Sequence, residues 1–320
     1  MGFTTIVTVG PSILEEEKLV AINSFGKCIY RINGAHVGRS DLTGVVENIR
    51  AVLPNASIML DLPGNKVRIN RLAEPIPLSK GTSFYLYEDQ VNYAPFLKML
   101  QRSDTILAND SIFLLEVVEA GEKRVRLRSH SDGVLLPGKG LHAQRVYAQL
   151  PFLFDKDREL IELACETGLS YLSLSYVRDA RDIQQAKELI NGEVPIISKI
   201  ETLAAVKNLN AILAEVDMIN IDRGDLSSDI GMLNLPAMQR QIIREAKNAG
   251  KQVFLATQVL HNMEQYPVPT ISEIIDLERY INSGIDGVQL SGETAVGKYP
   301  IECVKLIFSL YNNSRKETLV

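Results

Sequence analysis

The chain has 320 residues, of which 46% are hydrophobic, enough to bury a large core, so extended disorder is excluded. Its net charge of −5 comes without a long basic run, which excludes a nucleic-acid surface or an anionic-membrane surface built on bulk charge. Three scattered cysteines (Cys28, Cys165, Cys303) argue against a disulfide framework, and no leader pattern or apolar run of roughly 18 residues is present, so a cytoplasmic protein is expected.

From the N-terminus, TTIVTV, ILEEEKLVAINSFG, CIYRIN, SDLTGVVENIRAVL and SIMLDL form a strand-helix-strand-helix-strand series. Gly26 and Pro54-Asn55 mark helix stops, and Ser40-Asp41 marks a helix start. After Asp61 the rhythm breaks. Residues 71–144 contain short alternating pieces (TSFYLY, DTILA, SIFLLEVV, KRVRLRS) with turn chemistry at Ala120-Gly121-Glu122 and in LLPGKG, which predicts an inserted β-rich lid domain. The alternation then resumes with DKDRELIELACETG, YLSLSYV, DARDIQQAKELING, VPIISKIE, TLAAVKNLNAILAEV, MINIDRGD, PAMQRQIIREAKNAG, QVFLATQV, TISEIIDLERYINSG, GVQLSGE and PIECVKLIFSLYNN. Eight strand-helix units make the expected fold class α/β, a (β/α)8 TIM barrel over 1–70 and 145–320 interrupted by the lid over 71–144. An open doubly wound sheet is the alternative.

Barrel chemistry gathers at the carboxyl ends of the strands. Those ends read Thr8 to Ser12; Arg31 and Asn33; Asp61 with Lys66 and Arg68 beyond; Ser175; Lys199 and Glu201; Arg223 and Asp225; Thr257; and Ser291 with Glu293. Glu201 and Asp225 can hold an oxygen-ligated divalent ion, while Arg31, Arg68 and Lys199 offer cationic charge to phosphate or carboxylate oxygens. Phosphoryl transfer asks for this mixture. Singly, each residue has an ordinary reading: a strand-end Lys or Glu as a solvated charge or ion-pair partner, His36 as a surface histidine, Gly64 and Gly224 as turn glycines. The G-x-x-x-x-G-K string in GETAVGKYP is no phosphate loop, because Tyr299 stands where Ser or Thr is needed.

IISKIE, RGDL, ATQVL and LSGETAVGKYP, preceded by TIVTVGPS and RINGAH, resemble the successive strand-end motifs of the pyruvate kinase family, in that family's order. The resemblance runs from Thr5 to about Ile307 and implies a barrel with a mobile lid. It implies a phosphotransferase moving the phosphoryl group of phosphoenolpyruvate to ADP through a metal-stabilised pyruvate enolate, with Mg²⁺ or Mn²⁺ held by Glu201 and Asp225. Lys199 would stabilise the phosphoryl group in flight and Arg31 would hold the phosphate. Gly224, Asp225 and Thr257 would bind the carboxylate end, with the Thr257 region relaying a proton, and Asn33, His36 and Arg68 would face the nucleotide phosphates. The family's carboxy-terminal effector domain is not expected, because the chain ends just after the eighth helix; a homo-oligomer stays open.

The chain also departs from the family pattern. Two oxygen ligands of the monovalent-cation site are replaced by Ala35 and Leu62 beside Asn33 and Asp61, and Lys66 stands where potassium-dependent members have Glu and potassium-independent members have Lys. A tethered ammonium can replace a bound monovalent cation, so potassium is expected not to be required. On the nucleotide side, Asp41 stands at an aromatic position and Asp132 at a lysine position, and both repel a polyphosphate. Asp222 and Ser227 replace small residues around RGD. Two alternatives therefore accompany the kinase: a paralogue doing metal-dependent enolate chemistry on pyruvate or phosphoenolpyruvate (a decarboxylase, aldol-type lyase or biosynthetic enzyme), and a non-catalytic binding protein on the same fold.

Overall fold

The computed structural model describes residues 2–109, 112–147, 149–190 and 194–317. Two compact units emerge: residues 1–64 with 153–320, and residues 65–152.

The first unit is a closed (β/α)8 barrel. Its strands, one to eight in chain order, are Thr4–Thr8, Lys27–Asn33, Ser57–Asp61, Tyr171–Leu174, Ile196–Ile200, Met218–Asp222, Gln252–Ala256 and Gly287–Leu290. Each pairs in parallel with its neighbours, and strand one also pairs with strand eight, Thr4 opposite Gly287 and Val7 opposite Leu290. Strands one, five and six are buried along their whole length, because helices cover one face and the barrel interior the other. That is why these strands read as continuous apolar runs rather than as alternating ones.

Ile6, Ile29, Met59, Ile197, Met218 and Phe254 form one buried apolar cluster. Gly287 makes room for it: a Cβ there would lie 2.0 Å from the Thr4 carbonyl oxygen and 2.7 Å from the Phe254 ring. The seam between strands one and eight is closed further by side chains, since the Thr8 hydroxyl donates to Leu290 O (2.7 Å) and the Thr294 hydroxyl to Thr8 O (2.9 Å).

Local chemistry sets the helix ends. Helix Ile271–Asn282 begins with Thr270 and Glu273 in a reciprocal box: the Glu273 amide donates to Thr270 Oγ1 (3.2 Å) and the Thr270 amide to Glu273 Oε2 (2.7 Å). Helix Arg39–Val52 starts just before the Ser40-Asp41 signal, because the Asp41 carboxylate reaches back to accept from the Gly38 amide (3.2 Å). The single helix expected over TLAAVKNLNAILAEV is two, Leu203–Lys207 and Leu209–Glu215, broken at Asn208, whose side chain donates to Arg178 O (2.9 Å). None of the described helices is long and apolar enough to cross a membrane.

The second unit is β-rich. Ser83–Tyr87, Thr105–Ala108, Phe113–Glu119, Arg124–Ser129 and Leu141–His142 make a five-stranded antiparallel sheet, and Ile76–Leu78 pairs with Gly133–Leu135. Arg124–Ser129 shows the alternation that predicts such a sheet, with Val125, Leu127 and Ser129 buried and the three arginines exposed. The LLPGKG turn is real: Gly138 has φ 80° and its amide donates to Ile69 O (2.7 Å). Arg68 and Ile69 already pair with this unit's backbone, through bridges to Gly140 and Val91.

Candidate active site

Strand alternation builds the charged end of the barrel. Lys199 and Glu201 are two apart, so both side chains point to the same side of strand five. Lys199 pairs with Asn220 on strand six, and continuing that register brings Glu201 level with Asp222. The Lys199 ammonium is buried, 2.9 Å from Glu201 Oε2 and 3.2 Å from Asp222 Oδ2, and it donates to the Ser175 hydroxyl (3.1 Å). Burial alone would favour the neutral amine, but the carboxylates of Asp61, Glu201, Asp222 and Asp225 outweigh it and hold Lys199 well above the usual lysine range. The lysine is therefore a fixed cation.

Asp225 lies in the first turn of helix Arg223–Ile230, which follows strand six directly. Glu201, Asp222 and Asp225 each offer an oxygen within 4.8 Å of the others. Burial pushes the Glu201 carboxyl up to about 8, against the pull of Lys199 and with added push from Asp225 and Asp222. The Tyr176 amide donates to Glu201 Oε1 (2.5 Å) from a backbone held at φ 58°. Three carboxylates converging at a strand end form an all-oxygen donor set suited to Mg²⁺ or Mn²⁺. Among the described residues Asp222 Oδ1 is buried without a hydrogen-bond partner, which is the condition a bound cation relieves.

Arg31, on strand two, is also buried. Its Nε and Nη2 donate to Asp61 Oδ2 (2.8 and 2.5 Å) and its Nη1 to the Thr8 hydroxyl (2.8 Å). Burial pushes the Asp61 carboxyl up, but the charges of Lys199 and Arg31 prevail and hold it below the usual range. Asn33 Oδ1 accepts from the Ala35 amide (3.1 Å), and the neighbouring side chains of Ala35 and Leu62 carry no oxygen. His36 is exposed and lines a cleft of about 450 Å³ with Arg39, Asp155, Lys156 and Glu159.

Thr257 sits just past strand seven in a left-handed turn, with φ 66° followed by φ 51° at Gln258. Its hydroxyl accepts from the Gly224 amide (2.9 Å) and donates to Ala256 O (2.6 Å), so Gly224, Asp225 and Thr257 share one corner of the barrel mouth. Arg223 holds this turn. Its Nε donates to Ala256 O (3.3 Å) and Thr257 O (3.1 Å), its Nη2 to Thr257 O (2.5 Å) and Gln258 O (2.9 Å), and its Nη1 to Asp276 (2.8 Å). Sequence reasoning places Arg223 among the strand-end charges without a role; the turn it clamps, with two consecutive left-handed non-glycine residues, leaves no mark in composition or period.

Other strand-end residues take structural parts. Glu293 is buried and accepts from the Leu260 amide (3.1 Å) and the Ser291 amide (2.7 Å), so it ties two loops together. Lys66 and Arg68 belong to the second unit. There the Arg68 amide donates to Asn92 Oδ1 (2.8 Å), and the Lys66 side chain passes Gly140, where a Cβ would meet its Cε at 2.6 Å.

Comparison with known proteins agrees with this geometry. The family description "Pyruvate kinase, barrel domain" matches residues 3–304. The pyruvate kinase of Thermotoga maritima is 32% identical over 335 residues, covering 99% of this chain and 72% of that protein. Those of Methanocaldococcus jannaschii (33% identical; 94% of this chain, 67% of that protein) and Borreliella burgdorferi (30%; 97% and 68%) are similar to it as well. With a closed barrel, clustered strand-end residues and a match over nearly its whole length, the chain belongs to the pyruvate kinase family.

Proposed function

We propose that this protein transfers the phosphoryl group of phosphoenolpyruvate to ADP through a pyruvate enolate, without requiring potassium. The observation that carries this reading is Lys199, a buried cation fixed among four carboxylates at the carboxyl end of the barrel. Negative charge spreads over the phosphoryl oxygens during transfer, so a preorganised ammonium in a poorly solvated site is the main catalytic need.

Glu201 and Asp225 would hold the divalent cation, which would supply positive charge to substrate oxygens as negative charge builds on them. Arg31 grips the phosphate, and the corner formed by Gly224, Asp225 and Thr257 takes the substrate carboxylate. The Thr257 hydroxyl accepts from the Gly224 amide and donates to Ala256 O, and on this reading it would relay protonation of the enolate carbon, giving up its own proton as it takes one from solvent. Asn33, His36 and Arg68 face the nucleotide phosphates. Lys66 substitutes for the monovalent cation, consistent with Ala35 and Leu62 offering no side-chain oxygen.

The test is pyruvate formation from phosphoenolpyruvate with Mg²⁺, with and without ADP, in potassium-free buffer, with Lys199→Met as the blank. ADP-dependent turnover absent from the blank supports the reading. A large rate increase on replacing a tetraalkylammonium salt with potassium chloride overturns potassium independence.

One observation favours a second reading. Asp61, Glu201, Asp222 and Asp225 set four carboxylates against the two cations Arg31 and Lys199, a balance that suits a 2-oxoacid better than a nucleotide polyphosphate. Mg²⁺-dependent binding of pyruvate without any ADP-dependent turnover selects enolate chemistry with a different second substrate.

A further inference from the structure

We propose that Asp222 is a third carboxylate ligand of the divalent cation, acting through the oxygen that Lys199 leaves unused; the inference rests on the metal reading of Glu201 and Asp225 given above. Three observations carry it. First, Asp222 is 6% exposed and its two oxygens differ. Oδ2 faces the Lys199 ammonium at 3.2 Å, whereas Oδ1 is buried with no hydrogen-bond partner among the described residues. A buried carboxylate oxygen with no donor is costly, and a cation is the remedy that keeps the group ionised.

Second, an oxygen of Asp222 lies within 4.8 Å of those of both Glu201 and Asp225. Oxygens on opposite sides of one hard cation stand about 4–5 Å apart at metal–oxygen distances of roughly 2.0–2.6 Å, so the triad spans a single ion after a small contraction. Third, Gly224 stands next to Oδ1 without crowding it. A Cβ there would sit at ordinary contact distance, 3.6 Å, from both Asp222 Oδ1 and Thr257 Oγ1, so this position joins the acidic triad to the Thr257 corner.

The simpler role for Asp222, a counter-ion for Lys199, uses Oδ2 alone and leaves Oδ1 unexplained. A third ligand also changes the charge balance. Three carboxylates and one ammonium carry a net charge of about −2 when ionised, which one divalent cation neutralises. The free protein then binds the cation without help from substrate oxygens.

The test is a titration of the full chain with Mn²⁺ alone, followed by the electron paramagnetic resonance signal of free Mn²⁺, with no substrate present. Asp222→Ala and Asp222→Asn are compared with Glu201→Gln and the unaltered protein. Both Asp222 variants are expected to weaken Mn²⁺ binding at least about tenfold, the low end of what losing even an outer-shell partner does to a metal site. Asp222→Asn keeps the side chain's size, so it carries the test if Asp222→Ala fails to fold, as circular dichroism melting will show. Binding lost in Glu201→Gln but unchanged in both Asp222 variants overturns the proposal and leaves the two-carboxylate site standing. Binding unchanged in all three variants, or absent from the unaltered protein, overturns the proposal together with the metal reading beneath it.

Discussion

Arg223→Met is the substitution that best probes how the site is held. Thr257 and Gln258 both occupy left-handed backbone, at about 1–2 kcal/mol each for residues with a side chain, so the turn carries roughly 2–4 kcal/mol of conformational cost. The Arg223 guanidinium offsets it by donating to the carbonyls of Ala256, Thr257 and Gln258 while Asp276 fixes its far end and the Tyr280 ring lies 5.6 Å away. Hydrogen bonds from a charged donor contribute about 1.5–3 kcal/mol each before sharing, so two suffice. Methionine keeps the apolar stem and removes every donor. Urea unfolding should show a loss of about 3 kcal/mol. In the ADP-dependent pyruvate assay kcat should fall about 100-fold, as expected when a reacting group shifts by about 1 Å. Adding Gln258→Gly lowers the cost of the left-handed turn, so it should raise kcat of Arg223→Met towards the unaltered value. If Arg223→Met is destabilised but keeps its kcat, or if the added glycine restores nothing, Arg223 does not hold the Thr257 turn.

Three further outcomes are expected. Lys199→Met leaves Glu201 and Asp222 buried without their cation, so it should cost about 3–5 kcal/mol in urea unfolding, and Mn²⁺ should recover more stability in the variant than in the unaltered protein; equal unfolding midpoints would sink this. Asp157 is buried and accepts from the Gly64 and Phe154 amides; burial raises its carboxyl to about 6 in the folded state against 3.8 as reference. The folded chain thus keeps a proton that the unfolded chain releases, and stability is lost as pH rises from about 4 to 6, by about 3 kcal/mol. Asp157→Asn should remove that slope, measured as the difference from the unaltered protein at pH 4 and pH 7. Ile271 and Ile275, 81% and 59% exposed and one turn apart on the same helix, suit burial against another protein surface. If the chain self-associates through them, light scattering of Ile271→Glu/Ile275→Glu should show a smaller species, and an unchanged mass would remove that face from the assembly.

The barrel was legible because its strands are buried on both faces and change abruptly to charge at their carboxyl ends: IISKIE and MINIDRGD announce both the strand and the site. Lys199 and Glu201 were readable as charges that close an apolar strand run. Asp222 was readable only as a departure from a motif. Its place opposite Glu201 depends on the register between strands five and six, and register is a long-range property that a single strand does not encode. Within strand six, the period of two through Met218, Asn220 and Asp222 was the available signal, masked by a run that is apolar at every other position. Arg223 stayed hidden for a different reason: it reads as one more strand-end charge, while the turn it holds is reached through main-chain carbonyls 33 to 35 residues away, which no side-chain pattern reveals.

The Arg31–Asp61 pair has a consequence for selectivity. With Nε and Nη2 on Asp61 and Nη1 on Thr8, the guanidinium spends three of its five N–H donors inside the barrel. Asp61, held ionised by Lys199 and Arg31, fixes its orientation. An anion needing more than the two remaining donors would have to compete with that buried aspartate for the rest, so under the proposed function the pair would set a higher threshold for weakly charged anions than for a phosphate ester.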